Sequence, residues 1–343
     1  MSNQKQLLNS TLRTQNSSIP KMPIIESSYK AKHIWKNPHF STIYPSTLRK
    51  VEGVHYTRER IELPDGDFLD LDWSKSTVPS KSLVIFTHGF LGNSTRPYIL
   101  GAVKLFNQNH WDAVCWNHRG LSGENNRLER LTTHGDSQDL VYVVNHCLAM
   151  QHYTQITLVG YSKGGNISLK YAGEQGANIA QEIKSVVAIS VPTDIQGSVD
   201  AMGAEGFYAN RFKSKLHRFL QKRTELIDPK WFSLFEKYKT LDEFTGEYIA
   251  PLHGLKNAAD YYDSCSAIHV VDQIRVPSLI LNAANDPVLS ESCAILDKAK
   301  QSDYLFSEYP AHGGHCGFYA PNQDGIYWGD YRTWEFVKDN HNR

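Results

Sequence analysis

The chain lacks the features that mark membrane-spanning, disulfide-stabilised or nucleic-acid-binding proteins. Its five cysteines among 343 residues are odd in number and form no C-x-x-C pair, which favours reduced thiols in a reducing compartment. No apolar run is long enough to cross a bilayer, and residues 1–30 are polar, without the apolar centre of a signal peptide. The 36 basic and 36 acidic side chains balance, so the overall charge does not indicate nucleic-acid binding. We therefore expect a soluble cytoplasmic protein that binds no nucleic acid.

The sequence also lacks a linker rich in proline, glycine or serine that would divide it into separate domains. A length of 343 residues accommodates one large α/β domain with an insertion. Apolar runs typical of buried strands, such as residues 82–87 and 185–191, alternate with helical segments. Residues 60–73 alternate in polarity on both sides of Asp65-Gly66, which predicts a hairpin at a sheet edge. These patterns predict an α/β fold with a mostly parallel central sheet flanked by helices.

The spacing of the later strands indicates an inserted segment. Roughly 85 residues separate the predicted strand at 185–191 from the next one at 277–282, far more than one helix and two short loops require. We expect this insertion to form a helical cap at residues 195–268. The core would then comprise residues 31–194 and 269–343, and residues 1–30 would form a flexible N-terminal extension.

A G-x-S-x-G pattern, typical of a nucleophile elbow, lies between a predicted strand and a predicted helix at residues 160–164. A serine hydroxyl is a weak nucleophile, so it needs a sharp turn that exposes it, a base and donors for the oxyanion. The P-loop pattern is absent, and no lysine stands three residues after Ser162, which excludes an S-x-x-K site. We predict that Ser162 is the nucleophile and that the backbone N–H of Lys163 is one oxyanion donor, although an ordinary glycine-rich turn could also carry this pattern.

In folds with this elbow, an acid and then a histidine follow the serine along the chain. Asp286 comes just after the predicted strand at 277–282, and His315 follows the last predicted strand. Open α/β sheets build their sites at such carboxyl ends of strands, so we predict that Asp286 is the acid and His315 the base. Asp194, after the preceding strand, is the alternative acid, in which case Asp286 would be a turn residue before a proline.

The second oxyanion donor is predicted at Phe90, because its backbone N–H follows the strand at 82–87. We expect His88 to have a structural role, hydrogen-bonded within its own loop. His134 and Asp139 match the H-x-x-x-x-D pattern of some acyltransferases, but they fall where a helix is predicted to begin. We interpret them as residues that position and cap that helix.

A metal site is an alternative role for the loop that contains the predicted base. Three potential ligands lie close together there: His312, His315 and Cys316. The surrounding sequence supplies no further cluster of ligands, and serine hydrolysis requires only side chains and backbone dipoles. We therefore expect no metal and no organic cofactor.

Several motifs occur together and carry a resemblance to a known family: residues 37–45, 88–92, 117–128, 160–166, 285–287 and 312–315. In this combination the chain resembles the YheT/EMB8-like branch of the α/β-hydrolases, the AB hydrolase 4 family, over about residues 33–335. The resemblance implies an α/β-hydrolase fold and carboxylic-ester hydrolysis, with a triad of Ser162, Asp286 and His315. Transfer of the acyl group to an alcohol is the alternative reaction, and a non-catalytic binding protein is the third hypothesis. Some relatives have an N-terminal membrane anchor, which we do not expect here.

Residues 211–223, within the predicted cap, contain six basic residues and no acidic one, with apolar residues at helical spacing. This pattern predicts a basic amphipathic helix. It could pack its apolar side over the mouth of the active site, or it could contact an anionic membrane surface transiently. The substrate we expect is a small-molecule ester or lipid with a medium or long acyl chain.

Overall fold

The computed structural model describes residues 23–320 and 324–341. Within these ranges a single sheet of nine strands forms the centre of the protein. The strands, in chain order, are Ile24–Ile25 (β1), Thr57–Glu62 (β2), Phe68–Ser74 (β3), Ser82–Thr87 (β4), Asp112–Asn117 (β5), Gln155–Tyr161 (β6), Ile183–Ile189 (β7), Ser278–Leu281 (β8) and Leu305–Glu308 (β9).

The strands lie in the order β1-β9-β8-β7-β6-β4-β5-β3-β2. From β1 to β5 in this order every neighbouring pair is parallel, whereas β3 pairs antiparallel with both β5 and β2. The turn between β2 and β3 contains Gly66 at a φ of +83°, a conformation that glycine adopts without strain. Both the mostly parallel sheet and the edge hairpin agree with the sequence prediction.

Helices cover both faces of the sheet. The α-helices of the described residues are Pro38–Thr47 (α1), Pro97–Gln108 (α2), Ser137–Ala149 (α3), Lys163–Gln175 (α4), Ile195–Met202 (α5), Phe207–Gln221 (α6), Phe232–Lys237 (α7), Leu241–Phe244 (α8), Ala250–Leu252 (α9), Ala258–Cys265 (α10), Leu296–Lys300 (α11) and Trp328–Asn340 (α12). A π-helical turn spans Thr245–Ile249, and 3₁₀ turns span His33–Lys36, Gly176–Asn178, Pro229–Trp231, Ala267–His269, Val271–Gln273 and Glu291–Ala294.

The central strands are buried on both faces because their alternate side chains enter two different apolar clusters. In β4, Leu83 and Ile85 join the cluster that contains side chains of α3 and α4. Val84 and Phe86 point to the opposite face and pack with side chains of α2 and α12. This burial explains why β4 consists almost entirely of apolar residues.

The N-terminal segment differs in part from the prediction. Residues 1–22 of the predicted flexible extension lie outside the described residues. The prediction is wrong for its last part, because Ile24–Ile25 adds a parallel edge strand beside β9. Tyr29 is buried as well, and its ring lies 5.6 Å from that of Phe318. A two-residue strand is too short to produce a detectable sequence pattern.

Between β7 and β8 the described chain forms helices and connecting loops but no strand. Those from α5 to α10 occupy the segment 195–268 that we propose as the cap. Helices α6, α7 and α8 contribute to one apolar cluster, which includes Leu216 and Phe244, and α5 and α10 contribute to another, which includes Ile195 and Tyr261. None of the helices in the described ranges combines the length and the hydropathy that a membrane span requires.

Candidate active site

The predicted nucleophile elbow joins β6 to α4. Ser162 is the N-terminal capping residue of α4 and has a φ of 52° and a ψ of −122°, values that a residue with a side chain rarely adopts. A Cβ at Gly160 would collide with the backbone of Gly164, and a Cβ at Gly164 would collide with the carbonyl of Thr87. A Cβ at Gly165 would lie 2.6 Å from Val191 Cγ2. The glycines of this motif therefore allow the strand and the helix to pack closely around Ser162.

The structure brings Ser162, His315 and Asp286 together in one series of hydrogen bonds. His315 Nε2 lies 2.9 Å from Ser162 Oγ. On the other side of the imidazole, Nδ1 lies 2.8 Å from Asp286 Oδ2 and 3.1 Å from Oδ1. Since an ionised carboxylate only accepts hydrogen bonds, Nδ1 carries the proton and Nε2 is left to accept from the serine hydroxyl. This is the arrangement that the sequence predicts for a serine nucleophile and its base.

The alternative acid, Asp194, has a different role in the structure. Its carboxylate accepts a hydrogen bond from the N–H of Gly197 at 3.0 Å and caps the N-terminus of α5. The second oxygen of Asp286 accepts from the N–H of Val288 at 2.9 Å, which fixes the carboxylate that faces His315. Asp286 is therefore both a turn residue and the partner of the imidazole, so the two interpretations of this residue do not exclude each other.

The loop after β4 runs directly beside the nucleophile. A Cβ built at Gly89 would lie 3.3 Å from Ser162 Cβ. The N–H of Gly89 already donates to the hydroxyl of Tyr98 at 3.1 Å. Neither the Phe90 N–H nor the Lys163 N–H, the latter at the first position of α4, has an acceptor in the described chain. The role of both groups as oxyanion donors stays a prediction.

Two buried histidines hold this loop in place. The N–H of His118 donates to His88 Nε2 at 3.1 Å, so His88 carries its proton on Nδ1, which donates to the Gly89 carbonyl at 2.9 Å. Burial lowers the pKa of His88 to about 3 and also lowers that of His118 well below its usual value. Both rings therefore stay neutral, and the structural role predicted for His88 agrees with the structure.

The side chain of Lys163 is buried next to the nucleophile. It is 3% exposed, and its Nζ donates to the carbonyl of Thr132 at 2.7 Å. Burial lowers the pKa of this lysine to about 8, because the ammonium loses most of its hydration. The sequence analysis assigned a role only to the backbone of this residue, so the buried charge is an additional feature of the site.

The segment at residues 37–45 supports the loop that carries His315, a role that the sequence analysis did not identify. It forms α1, capped by Asn37, and Thr42 Oγ1 accepts a hydrogen bond from the N–H of His315 at 2.9 Å. Asn285 completes the connection: its Oδ1 accepts from the Gly314 N–H at 3.1 Å, and its Nδ2 donates to the Lys36 carbonyl at 3.0 Å. The N-terminal segment and two distant loops therefore position the imidazole together.

The structure places His134 and Asp139 in different environments. Nδ1 of His134 lies 2.9 Å from the hydroxyl of Tyr261, while both oxygens of Asp139 accept from Arg119, at 2.8 and 2.9 Å. Arg119 is fully buried and also contacts Asp67 at 3.1 Å. Asp139 lies in the first turn of α3, as expected, but its carboxylate binds Arg119 and does not cap the helix, so the capping part of the interpretation is wrong.

The proposed metal ligands point to different partners. His315 faces Ser162 and Asp286, whereas the ring of His312 lies 3.3 Å from the amide nitrogen of Asn285. Within residues 23–320 and 324–341, no group of three or more His, Cys, Asp or Glu side chains has a geometry that could hold a metal ion.

Two cavities meet at the nucleophile. The first, here called the acyl cavity, has a volume of about 1030 Å³ including its mouth, and most of its lining is apolar. Its walls come from the cap and from the loops that follow β4 and β5: Phe90, Leu91, Leu121, Leu131, Ile195, Val199, Met202, Phe212, Leu216, Phe219, Phe244, Ile249 and Tyr262. Ser162 borders this cavity. Ser162 also borders a second cavity, which lies on the side of α1 and His315.

The predicted basic amphipathic helix corresponds to α6. Leu216 and Leu220 are buried in the cap, which agrees with packing over the site. The basic residues of 211–223 do not form a continuous surface, because Lys215 on α6 is half-buried and Arg223, just after the helix, is only 1% exposed. Contact of residues 211–223 with a membrane stays a prediction, and Arg223 cannot contribute to it while the cap keeps this conformation.

Comparison with known proteins places this site in a family. A sequence model described as the alpha/beta hydrolase fold matches residues 82–340. The chain belongs to the α/β-hydrolase fold family. "Putative esterase YheT" of Escherichia coli (strain K12) is 29% identical over 297 residues, covering 83% of this chain and 85% of that protein. Phospholipase ABHD3 of Mus musculus is 25% identical over 308 residues, covering 86% of this chain and 74% of that protein.

The predicted resemblance to YheT/EMB8-like α/β-hydrolases is thus confirmed. Among solved structures, the Pyrococcus furiosus esterase Pf2001 superposes with a TM-score of 0.56 at 15% identity, covering 85% of this chain and 96% of that chain. This likeness supports the fold alone. The named relatives support hydrolase activity of the esterase or lipase type for this α/β-hydrolase.

Proposed function

We propose that this protein is a serine hydrolase that cleaves carboxylic esters through an acyl-enzyme on Ser162. The observation that carries the proposal is the series of hydrogen bonds from Ser162 Oγ through His315 to Asp286. This series ends at the junction of two cavities, where an ester can reach the serine from outside. Such an arrangement supplies a nucleophile, a base and an orienting carboxylate.

In the proposed mechanism, His315 Nε2 takes the proton from Ser162 while Oγ attacks the ester carbonyl. The N–H groups of Phe90 and Lys163 donate to the oxygen that becomes negatively charged. His315 then gives its proton to the departing alcohol as the C–O bond breaks, and Asp286 stabilises the transient imidazolium. Water, activated by the same imidazole, attacks the acyl-enzyme and releases the acid.

The acyl cavity supports a substrate with a medium or long apolar acyl chain. Its walls are mostly apolar, which is the kind of lining that binds apolar parts of small molecules. Burial of each additional methylene contributes about 0.8 kcal/mol as long as the chain remains inside the cavity. The names of the relatives, an esterase and a phospholipase, agree with an ester or lipid substrate.

The test is turnover of p-nitrophenyl esters from butanoate to palmitate by the wild type and Ser162→Ala. We expect kcat/KM to rise with chain length by up to about 4-fold per methylene and then to level off when the cavity is full. Ser162→Ala should lose on the order of 10⁴-fold or more in turnover at every length. Ser214→Ala is the matched control, because this exposed serine donates only to the Asn210 carbonyl within α6.

The same assay separates the alternative functions. A new ester formed from an added alcohol, in place of free acid, would favour the acyltransferase hypothesis. Absence of turnover at every chain length, with the fold intact, would favour the binding-protein hypothesis. Wild-type turnover in Ser162→Ala would contradict the proposed function itself.

We also propose that the protein works in the cytoplasm. All five cysteines are free thiols, and four of them are buried, which fits a reducing compartment. Recovery of the protein in an extracellular fraction would contradict this proposal, whereas recovery in the cytosolic fraction of its host would support it.

A further inference from the structure

The second cavity differs from the acyl cavity in the charge of its walls. It has a volume of about 1040 Å³ including its mouth, and both Ser162 and His315 border it. Three cationic side chains, Arg96, Arg211 and Lys215, line it together. No Asp or Glu side chain of the described ranges belongs to the same lining. We call this space the cationic cavity.

In the part of the chain that the structure describes, none of these three cations has an acidic partner. Several other arginines of the described chain pair with carboxylates, as Arg119 does with Asp139 at 2.8 Å. Arg96 instead donates to a backbone carbonyl, that of Leu91, at 3.1 Å. Neither Arg211 nor Lys215 lies within 4.0 Å of a carboxylate oxygen in the described residues. All three side chains are half-buried, so water compensates their charges only in part.

The positive charges are close enough to act on one another. Arg211 and Lys215 are four residues apart on α6 and therefore share one face of that helix, while Arg96 approaches from the core, just before α2. The pKa of Lys215 is lowered to about 8, first by burial and then by the charges of Arg96, Arg211 and Arg218. An anion placed among them would relieve this repulsion and replace the lost hydration.

The position of His315 decides which part of the substrate enters this cavity. The imidazole must give its proton to the departing alcohol, so the alcohol lies on the side of His315. His315 borders the cationic cavity and not the acyl cavity. The acyl chain and the alcohol therefore occupy different cavities, with Ser162 between them.

We propose that Arg96, Arg211 and Lys215 form an anion-binding subsite for the alcohol part of the substrate, which carries a phosphate group. This inference rests on the proposed ester hydrolysis and adds the class of alcohol to it. A phosphate monoester has a charge of about −1.5 to −2 at pH 7 and three acceptor oxygens, and therefore matches three cations better than a single carboxylate does. The products are a free fatty acid and an alcohol that keeps its phosphate; the phosphoester bond is not broken.

The experiment compares two esters that differ only in this group: 1-decanoylglycerol and 1-decanoylglycerol 3-phosphate. Both are used as monomers, below the concentrations at which they aggregate, so that a membrane surface plays no part. The measured quantity is the ratio of kcat/KM for the phosphate ester to kcat/KM for the neutral ester. We expect a wild-type ratio of about 10 or more, since a hydrogen bond to a charged group contributes roughly a 10-fold change in binding.

Single substitutions identify the residues that are responsible. Lys215→Gln and Arg211→Gln should each lower the ratio by about 10-fold. Arg96→Gln should do the same from a different element, so a disturbance of α6 cannot explain all three results. Lys213→Gln is the matched control: Lys213 lies on the same helix, but its Nζ donates to the Lys239 carbonyl, and the residue does not line the cavity. Its ratio should equal that of the wild type.

A pH series provides a second readout. Because the folded pKa of Lys215 is about 8, the ratio should fall between pH 7 and pH 9 as the lysine loses its proton. A pH effect on the chemical step itself affects both esters equally and cancels in the ratio. In Lys215→Gln the fall should disappear.

A wild-type ratio near 1, or a ratio that all three variants leave unchanged, would overturn the subsite while turnover of the neutral ester continues. A second assay measures how glycerol 3-phosphate and inorganic phosphate inhibit hydrolysis of p-nitrophenyl octanoate. Inhibition by glycerol 3-phosphate alone would support a site for a phosphate attached to the alcohol. Equal inhibition by both compounds would indicate a site for free phosphate and contradict the proposal. Failure of the proposed function gives a different result from failure of the subsite. In that case Ser162→Ala would cleave each ester as fast as the wild type does.

Discussion

Replacement of Asp286 by asparagine tests how the imidazole of His315 is oriented. Asp286 Oδ2 accepts from His315 Nδ1 at 2.8 Å, which leaves Nε2 free to take the proton of Ser162. An asparagine can present its NH₂ group to Nδ1, so that Nδ1 becomes the acceptor and the proton moves to Nε2. That tautomer cannot act as a base toward the serine, and the negative charge that stabilises the imidazolium is lost as well.

The expected loss in kcat is on the order of 10⁴-fold, the size found when the corresponding carboxylate of a serine protease triad is replaced by asparagine. This corresponds to roughly 5 kcal/mol of transition-state stabilisation. The assay is hydrolysis of p-nitrophenyl octanoate at pH 7.5, together with a thermal unfolding curve for each variant. KM should change little, because Asp286 lines neither cavity.

Asp194→Asn is the matched control, since the two aspartates were the sequence candidates for the same role. Asp194 caps α5 through the N–H of Gly197, and asparagine is about as good an N-cap as aspartate. We expect its turnover to stay within a few-fold of the wild type. The reasoning would be refuted if Asp194→Asn lost most of its activity while Asp286→Asn stayed within 10-fold.

Two further predictions concern the supports of the site. Thr42→Val removes the acceptor of the His315 N–H and should cost roughly 1–3 kcal/mol in transition-state stabilisation. Steady-state kinetics should show this loss, but not in Thr333→Val, whose hydroxyl donates to the Gly329 carbonyl within α12 and lines neither cavity. Lys163→Met keeps the backbone N–H but removes the buried charge. Because burial lowers the folded pKa of Lys163 to about 8, the wild type loses stability as pH falls, and its free energy of unfolding relative to the variant should rise by about 2 kcal/mol from pH 7.5 to 9.5. A constant difference in urea unfolding at the two values would contradict the buried charge.

The sequence analysis predicted most of the strand and helix order because these elements depend on local patterns. The apolar run of β4 and the hairpin around Gly66 are both close to their predicted positions. The elbow at Ser162 was also recognisable, because its glycines are required within a few residues of chain. Such features need no knowledge of distant contacts.

Contacts between distant parts of the chain could not be predicted in the same way. Thr42 and His315 are 273 residues apart, and nothing in a threonine within a helix indicates that it accepts a hydrogen bond from such a remote loop. Asp139 looked like a capping residue because it is near a helix start, whereas a fully buried arginine binds it in the fold. The choice between Asp286 and Asp194 also depended on three-dimensional geometry, since both follow a strand.

The covalent intermediate on Ser162 is the most direct test of the central claim. The wild type is mixed with p-nitrophenyl decanoate or a fluorophosphonate probe, quenched in acid within the first turnovers, and analysed by mass spectrometry of the intact protein and of its peptides. We predict a single added decanoyl or phosphonyl group, located on Ser162 in the peptide that contains residues 160–164, and no adduct in Ser162→Ala. An adduct on another residue, or turnover of the ester by Ser162→Ala at the wild-type rate, would contradict the account.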